Sequence, residues 1–185
     1  MRWVLFLIIC YVTLLVQTTL ASVISFKAGA LGPISPDLAA CVAVFLAIRL
    51  RNLTDVLLAA WVLGIGVDLT CGEVGAGALG PMALSYVLGA WVMFRIAEAL
   101  YRERPATGAL LGGLFCLIAH TLWVTLQSIL PGGQVSWGQW LGLIAQASLV
   151  AVYTAGAAPL VHFVLRRCDR WLVPSMPSRR GGSAR

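Results

Sequence analysis

The chain has 185 residues, 60% of them hydrophobic and only 11% charged, with a net charge of +6. A soluble domain carries about 25% charged residues, and a globule of this size needs a polar shell that so few charges do not supply. The composition argues against a water-soluble enzyme or nucleic-acid-binding module and predicts one compact membrane domain.

The apolar residues fall in long blocks rather than alternating, so the expected class is all-α, a polytopic bundle of six transmembrane helices. The first block, Trp3 to Phe26, exceeds the roughly 20 residues a span needs. Its TTLAS stretch at 18–22 resembles a signal-peptide end, but the apolar run continues past it and an uncleaved span is expected. The second block, about 37–50, is short, with Asp37 placed after Pro36 to cap its first amides. The third, about 53–69, is also short and opens on Thr54 and Asp55, which suit a helix N-terminus. These two blocks predict a tilted or partly re-entrant pair in a locally thin bundle. The fourth runs over about 81–97, the fifth over 107–130 and the sixth over 140–165, where Pro159 predicts a kink. The transmembrane domain so defined covers 1–166, and 167–185, rich in Pro, Gly, Ser and Arg, is expected to be a basic flexible cytoplasmic tail.

With six spans drawn, Arg2, Arg49, Arg51, Arg95, Arg102, Arg104, Arg166, Arg167, Arg170 and three tail arginines share one side, and only Lys27 lies on the other. The positive-inside rule then puts both termini in the cytoplasm. The positive charge is accounted for by anionic lipid headgroups at the inner face, and no nucleic-acid partner is expected. Arg95 and Glu98, three apart, can pair on one helix face. They join Arg49, Arg51, Arg102 and Arg104 as candidates for a cytoplasmic face that orders helix ends or docks a partner.

Residues 61–91 are the most informative stretch. Gly64 and Gly66 permit close helix approach, and Gly72, Gly75 and Gly80 predict a tight loop. Asp68 lies at the unfavourable C-terminal end of its helix dipole, so Thr70, the following amides or a cation from another span should compensate it. With Asp37 and Glu73 it forms the set of acids expected to order the loop or contact a partner. Gln127, Gln146, Ser148, Thr154 and Thr125 are expected to hydrogen-bond across helices. The five cysteines show no CxxC pair and are read as packing residues. His120 reads as a buried hydrogen-bonding residue and His162 as lying near the inner interface. No catalytic, metal or cofactor site is legible, so the expectation is a noncatalytic protein.

PDLAACVAVFLAIRLRN at 36–52 and DVLLAAWVLGIGVDLTCGEVGAGALGPMALSYVLGAW at 55–91 resemble the rod shape-determining MreD family of the bacterial inner membrane. Pro36, Asp37, Arg49, Gly64, Asp68, Leu69, Gly72, Gly75 and Gly80 carry the resemblance, which covers about a third of the chain. It implies a noncatalytic adaptor that binds the bitopic scaffold MreC and acts with the actin-like MreB and the glycan polymerase–transpeptidase pair in lateral peptidoglycan synthesis. It also implies a fold similar to the substrate-binding components of energy-coupling-factor vitamin importers. That likeness supplies an alternative, a solute-binding membrane component with Trp61, Trp91, Trp123 and Trp137 as candidate pocket residues.

Overall fold

The computed structural model describes residues 2–27, 29, 32–71, 80–99, 105–129 and 137–172. Six helices follow in order: α1 (Trp3–Ile24), α2 (Leu38–Arg49), α3 (Leu53–Cys71), α4 (Pro81–Ala99), α5 (Pro105–Ile129) and α6 (Trp137–Leu172). Between α1 and α2 lies a small antiparallel pair, β1 (Phe26–Lys27) with β2 (Pro33–Ile34), in which Phe26 faces Ile34 and Lys27 faces Pro33. Nothing in the sequence announces this pair, because two-residue strands leave no alternation to read.

Stretches of α3, α5 and α6 are each long and apolar enough to cross a membrane. The third block, expected to be short, is one continuous helix of 19 residues, which removes the re-entrant reading for α3. The last helix is 36 residues long and continues through Pro159 to Leu172. Residues 167–172, assigned to the flexible tail, are therefore helical, and the tail from 173 onward lies outside the described residues.

The helix α2 forms the axis of the bundle. It packs against all five other helices, and every residue from Ala39 to Ala47 is buried. Its 12 residues rise about 18 Å, about 12 Å short of a hydrocarbon core, so α2 begins inside the protein rather than at a surface. Around it, α5 and α6 run antiparallel with small residues at the seam. A methyl group built on Gly112 or Gly113 would lie 3.0 Å from the Cβ of Ala158 or Ala155. On the opposite pair, a methyl on Gly64 of α3 would lie 2.5 Å from the Cα of Ala83 in α4. Such backbone approach is how helices gain contact where lipid gives no hydrophobic drive.

The outside of the bundle is apolar. Val4, Leu7, Ile8, Tyr11 and Val12 of α1 and Val152, Leu160, Phe163 and Val164 of α6 are all exposed. The interior, by contrast, encloses Asp37, Ser85, Tyr86, Thr154 and His162. A patch of that size on a soluble monomer would be out of place, whereas lipid covers it at no cost.

Candidate functional site: a buried polar centre at the start of α2

A helix that starts inside a protein leaves its first amides without water or a preceding turn. Three side chains from three elements meet this need. The Asp37 backbone N–H donates to Thr154 Oγ1 of α6 at 2.9 Å, Ala39 N–H donates to Gln17 Oε1 of α1 at 3.1 Å, and Ala40 N–H donates to Asp37 Oδ1 at 3.0 Å. Asp37 is therefore the N-cap of α2, as its place after Pro36 suggested.

Its second oxygen faces the centre of the bundle. The Tyr86 hydroxyl of α4 donates to Asp37 Oδ2 at 2.6 Å, and His120 Nε2 of α5 lies 3.4 Å from the same oxygen. Tyr86 is fully buried and its ring packs edge-on against Phe115, with centroids 5.1 Å apart. One helical turn before His120, the Cys116 thiol donates to Thr154 Oγ1 at 3.6 Å. Cys41 of α2 donates its thiol to the Thr154 carbonyl at 3.9 Å, and His162 Nε2 meets the Cys41 carbonyl at 3.1 Å. A carboxylate buried this deeply is tolerated only when hydrogen-bonded or paired, and Asp37 is hydrogen-bonded through both oxygens, by the Ala40 N–H and the Tyr86 hydroxyl.

Beside this centre is a cavity of about 290 Å³, lined by Gln17, Ser35, Asp37, His120, Trp123 and Gln146 among others. The start of β2 and the end of α1 are held against α6 near it. Gln146 Nε2 donates to the Pro33 carbonyl at 3.2 Å, and the Tyr153 hydroxyl donates to the Ile24 carbonyl at 3.0 Å.

The aspartate of the 61–91 stretch, Asp68, does related work at the start of α4. Asp68 Oδ2 accepts from Gly80 N–H at 3.1 Å and Ala83 N–H at 3.2 Å, while Oδ1 accepts from Met82 N–H at 3.3 Å. Pro81, between them, has no amide to satisfy. Compensation for Asp68 comes from the positive end of the neighbouring helix, and Gly72, whose amide was also expected to contribute, lies outside the described residues. Thr70 bonds back to the Gly66 carbonyl of its own helix. Above Asp68, a surface groove of about 490 Å³ runs between α3 and α4, lined by Trp61, Ile65, Leu69, Leu84 and Val87.

The remaining candidates divide. Gly64 and Gly66 both lie at close helix contacts, the latter against the Leu14 side chain, and Gly80 adopts a φ of +125° that favours glycine. Arg49 ends α2 with its guanidinium 5.9 Å from the Phe45 ring, and Arg51 and Arg95 are exposed. Gly72, Glu73, Gly75, Arg102, Arg104 and the Glu98 side chain lie outside the described residues. Of the polar residues expected to bond across helices, Thr154 does so, and Gln146 reaches the β2 strand. Thr125 and Ser148 instead bond to their own helices. At the start of α3 Asn52 accepts the Thr54 N–H at 3.2 Å, and Asp55 lies in the first turn as expected. His162 is buried within the bundle.

Sequence reasoning missed the meeting of Asp37, Cys116 and His120, whose ligand atoms all lie within 4.8 Å of one another. The signal that could have found part of it is the four-residue spacing of Cys116 and His120, which puts both on one face of α5. Comparison with family models, characterised proteins and solved structures gives no significant match.

Proposed function

We propose that this chain is a noncatalytic multi-pass adaptor of the MreD type in the bacterial inner membrane. In this reading six helices span, both termini are cytoplasmic, MreC is the direct partner, and MreB and the glycan polymerase–transpeptidase pair belong to the same assembly. The observation that carries the reading is the employment of its two motif aspartates. Asp37 and Asp68 each hold the start of a helix through backbone amides, which makes the resembling third of the chain a rigid frame. On that frame the groove between α3 and α4 offers an apolar surface, with Trp61 50% and Leu84 48% exposed.

A second reading, the solute-binding component of an energy-coupling-factor-type importer, is favoured by the cavity beside Asp37 and His120. Affinity purification of the tagged chain in mild detergent, followed by mass spectrometry, separates the two. The adaptor predicts recovery of a bitopic coiled-coil protein with cell-wall synthases, and Leu84→Gln is expected to reduce that recovery without lowering the yield of folded chain. An ATPase pair with a stoichiometric small molecule would replace the adaptor by the importer reading.

A further inference from the structure

The capping of α2 accounts for Asp37, Thr154 and Gln17, and Tyr86 completes the Asp37 carboxylate. Cys116 and His120 have no part in it. His120 Nε2 is the one buried side-chain nitrogen or oxygen, among the described residues, that makes no hydrogen bond. It is shielded from solvent, 3.4 Å from Asp37 Oδ2, and set on the same helix face as the Cys116 thiol. A buried imidazole nitrogen beside a carboxylate and a thiol is a donor set that suits a borderline-soft metal ion.

We propose that Asp37, Cys116 and His120 form a zinc site, with Asp37 Oδ2, Cys116 Sγ and His120 Nε2 as ligands and a fourth position toward the adjoining cavity. Three features support it. Tetrahedral zinc with bonds of about 2.0–2.2 Å to nitrogen and oxygen sets those two ligands about 3.3–3.5 Å apart, and His120 Nε2 and Asp37 Oδ2 are separated by 3.4 Å. The outer partners are also in place, since metal ligands are oriented by a second layer of hydrogen bonds. Tyr86 donates to Asp37, and Thr154, whose oxygen already accepts the Asp37 amide, has its hydroxyl hydrogen left to give to a Cys116 thiolate 3.6 Å away. Finally, one carboxylate, one thiolate and one dication sum to zero charge, which suits a site enclosed by apolar helices. The site stands on these residues whether or not the chain is an MreD-type adaptor.

The test uses full-length protein in detergent, carrying a histidine-free affinity tag, titrated with Zn²⁺ and separately with Co²⁺ as a spectroscopic probe. Elemental analysis is expected to give one zinc per chain, and Co²⁺ a visible spectrum with a thiolate charge-transfer band. Cys116→Ala and His120→Gln should each weaken Zn²⁺ binding at least tenfold, while Cys10→Ala, at a buried thiol on α1, leaves it unchanged. Zinc should also protect Cys116 from alkylation in the intact wild-type chain, a readout that needs no variant to fold. Absence of zinc binding at micromolar concentration, or binding that survives Cys116→Ala undiminished, would overturn the site.

Discussion

Replacing Gly64 by alanine sets two effects against each other, and the structure decides which wins. Alanine favours the helix by about 1 kcal/mol over glycine. The added methyl, however, would stand 2.5 Å from Ala83 Cα, 3.0 Å from Ala83 N and 3.1 Å from the Met82 carbonyl. These are backbone atoms, so no rotamer change relieves them. Restoring ordinary contact near 3.8 Å requires α3 and α4 to part by about 1.3 Å at this level. Asp68, one turn further along α3, holds Gly80, Met82 and Ala83 by bonds of 3.1, 3.3 and 3.2 Å, and that displacement carries them out of hydrogen-bond range. Overpacking costs about 1–3 kcal/mol and each charged hydrogen bond contributes about 1.5–3, so counting the full loss of only one of the three bonds the net loss is about 2–5 kcal/mol after the helix gain. Thermal denaturation in detergent, followed by size-exclusion chromatography of the surviving folded fraction, should show a midpoint lowered by about 5–15 °C. Gly156→Ala on the exposed face of α6, where a methyl meets nothing within 4 Å, is the matched control and should be neutral or slightly stabilising. A Gly64→Ala protein as stable as that control would refute the close α3–α4 approach.

Three further outcomes follow from the same geometry. Gly66→Ala should cost less than about 1 kcal/mol, because the atom in its way is the end of the flexible Leu14 side chain; the same melting series checks it. Gly108→Ala should cost more, since the methyl would lie 2.5 Å from His162 Nδ1 on a ring tied to the Cys41 carbonyl. Its midpoint should fall between those of Gly66→Ala and Gly64→Ala. Tyr86→Phe keeps the edge-on contact with Phe115 but removes the 2.6 Å bond to Asp37. A loss of about 1.5–3 kcal/mol is expected, measured in the same detergent, and a variant as stable as the wild type would show that Asp37 does not depend on Tyr86.

The helices were legible because lipid-facing and core-facing surfaces are both apolar, which leaves long uninterrupted blocks and sharp breaks at Pro36, Pro81 and Pro105. Helix starts were readable where a cap lies next to its helix, as with Asp37. They were not readable where the cap comes from elsewhere: Asp68 serves α4 from 12 to 15 residues away, and no local pattern announces that. The polar centre escaped for the same reason. Its members stand at the start of α2 and on α4, α5 and α6, and residues read singly as a cap, a buried hydrogen-bonding histidine and a packing cysteine give no sign that they meet. Only the Cys116–His120 spacing is local. The length of α6 past Leu165 was hidden because arginines, which mark the end of an apolar block, are good helix formers.

The two aspartates differ in how many acceptors the fold draws from them, and an asparagine scan exposes the difference. At position 68 both carboxylate oxygens accept backbone amides, Oδ2 from Gly80 and Ala83 and Oδ1 from Met82. Asparagine keeps one oxygen and turns its NH₂ toward an amide donor, so one end of the cap becomes a donor–donor contact. Asp68→Asn should therefore cost about 1–3 kcal/mol and speed amide hydrogen exchange at the first turn of α4. At position 37 the backbone draws only on Oδ1, from Ala40, while Oδ2 faces the Tyr86 hydroxyl and His120 Nε2. Both of those groups can reorient to accept from an NH₂, so Asp37→Asn should leave exchange at the start of α2 near that of the wild type. The charged oxygen at the centre is then lost while the helix cap is kept. If Asp37→Asn instead unravels α2 as Asp68→Asn unravels α4, the central carboxylate is needed for folding itself, and its value for metal binding must be measured through Cys116 and His120 alone.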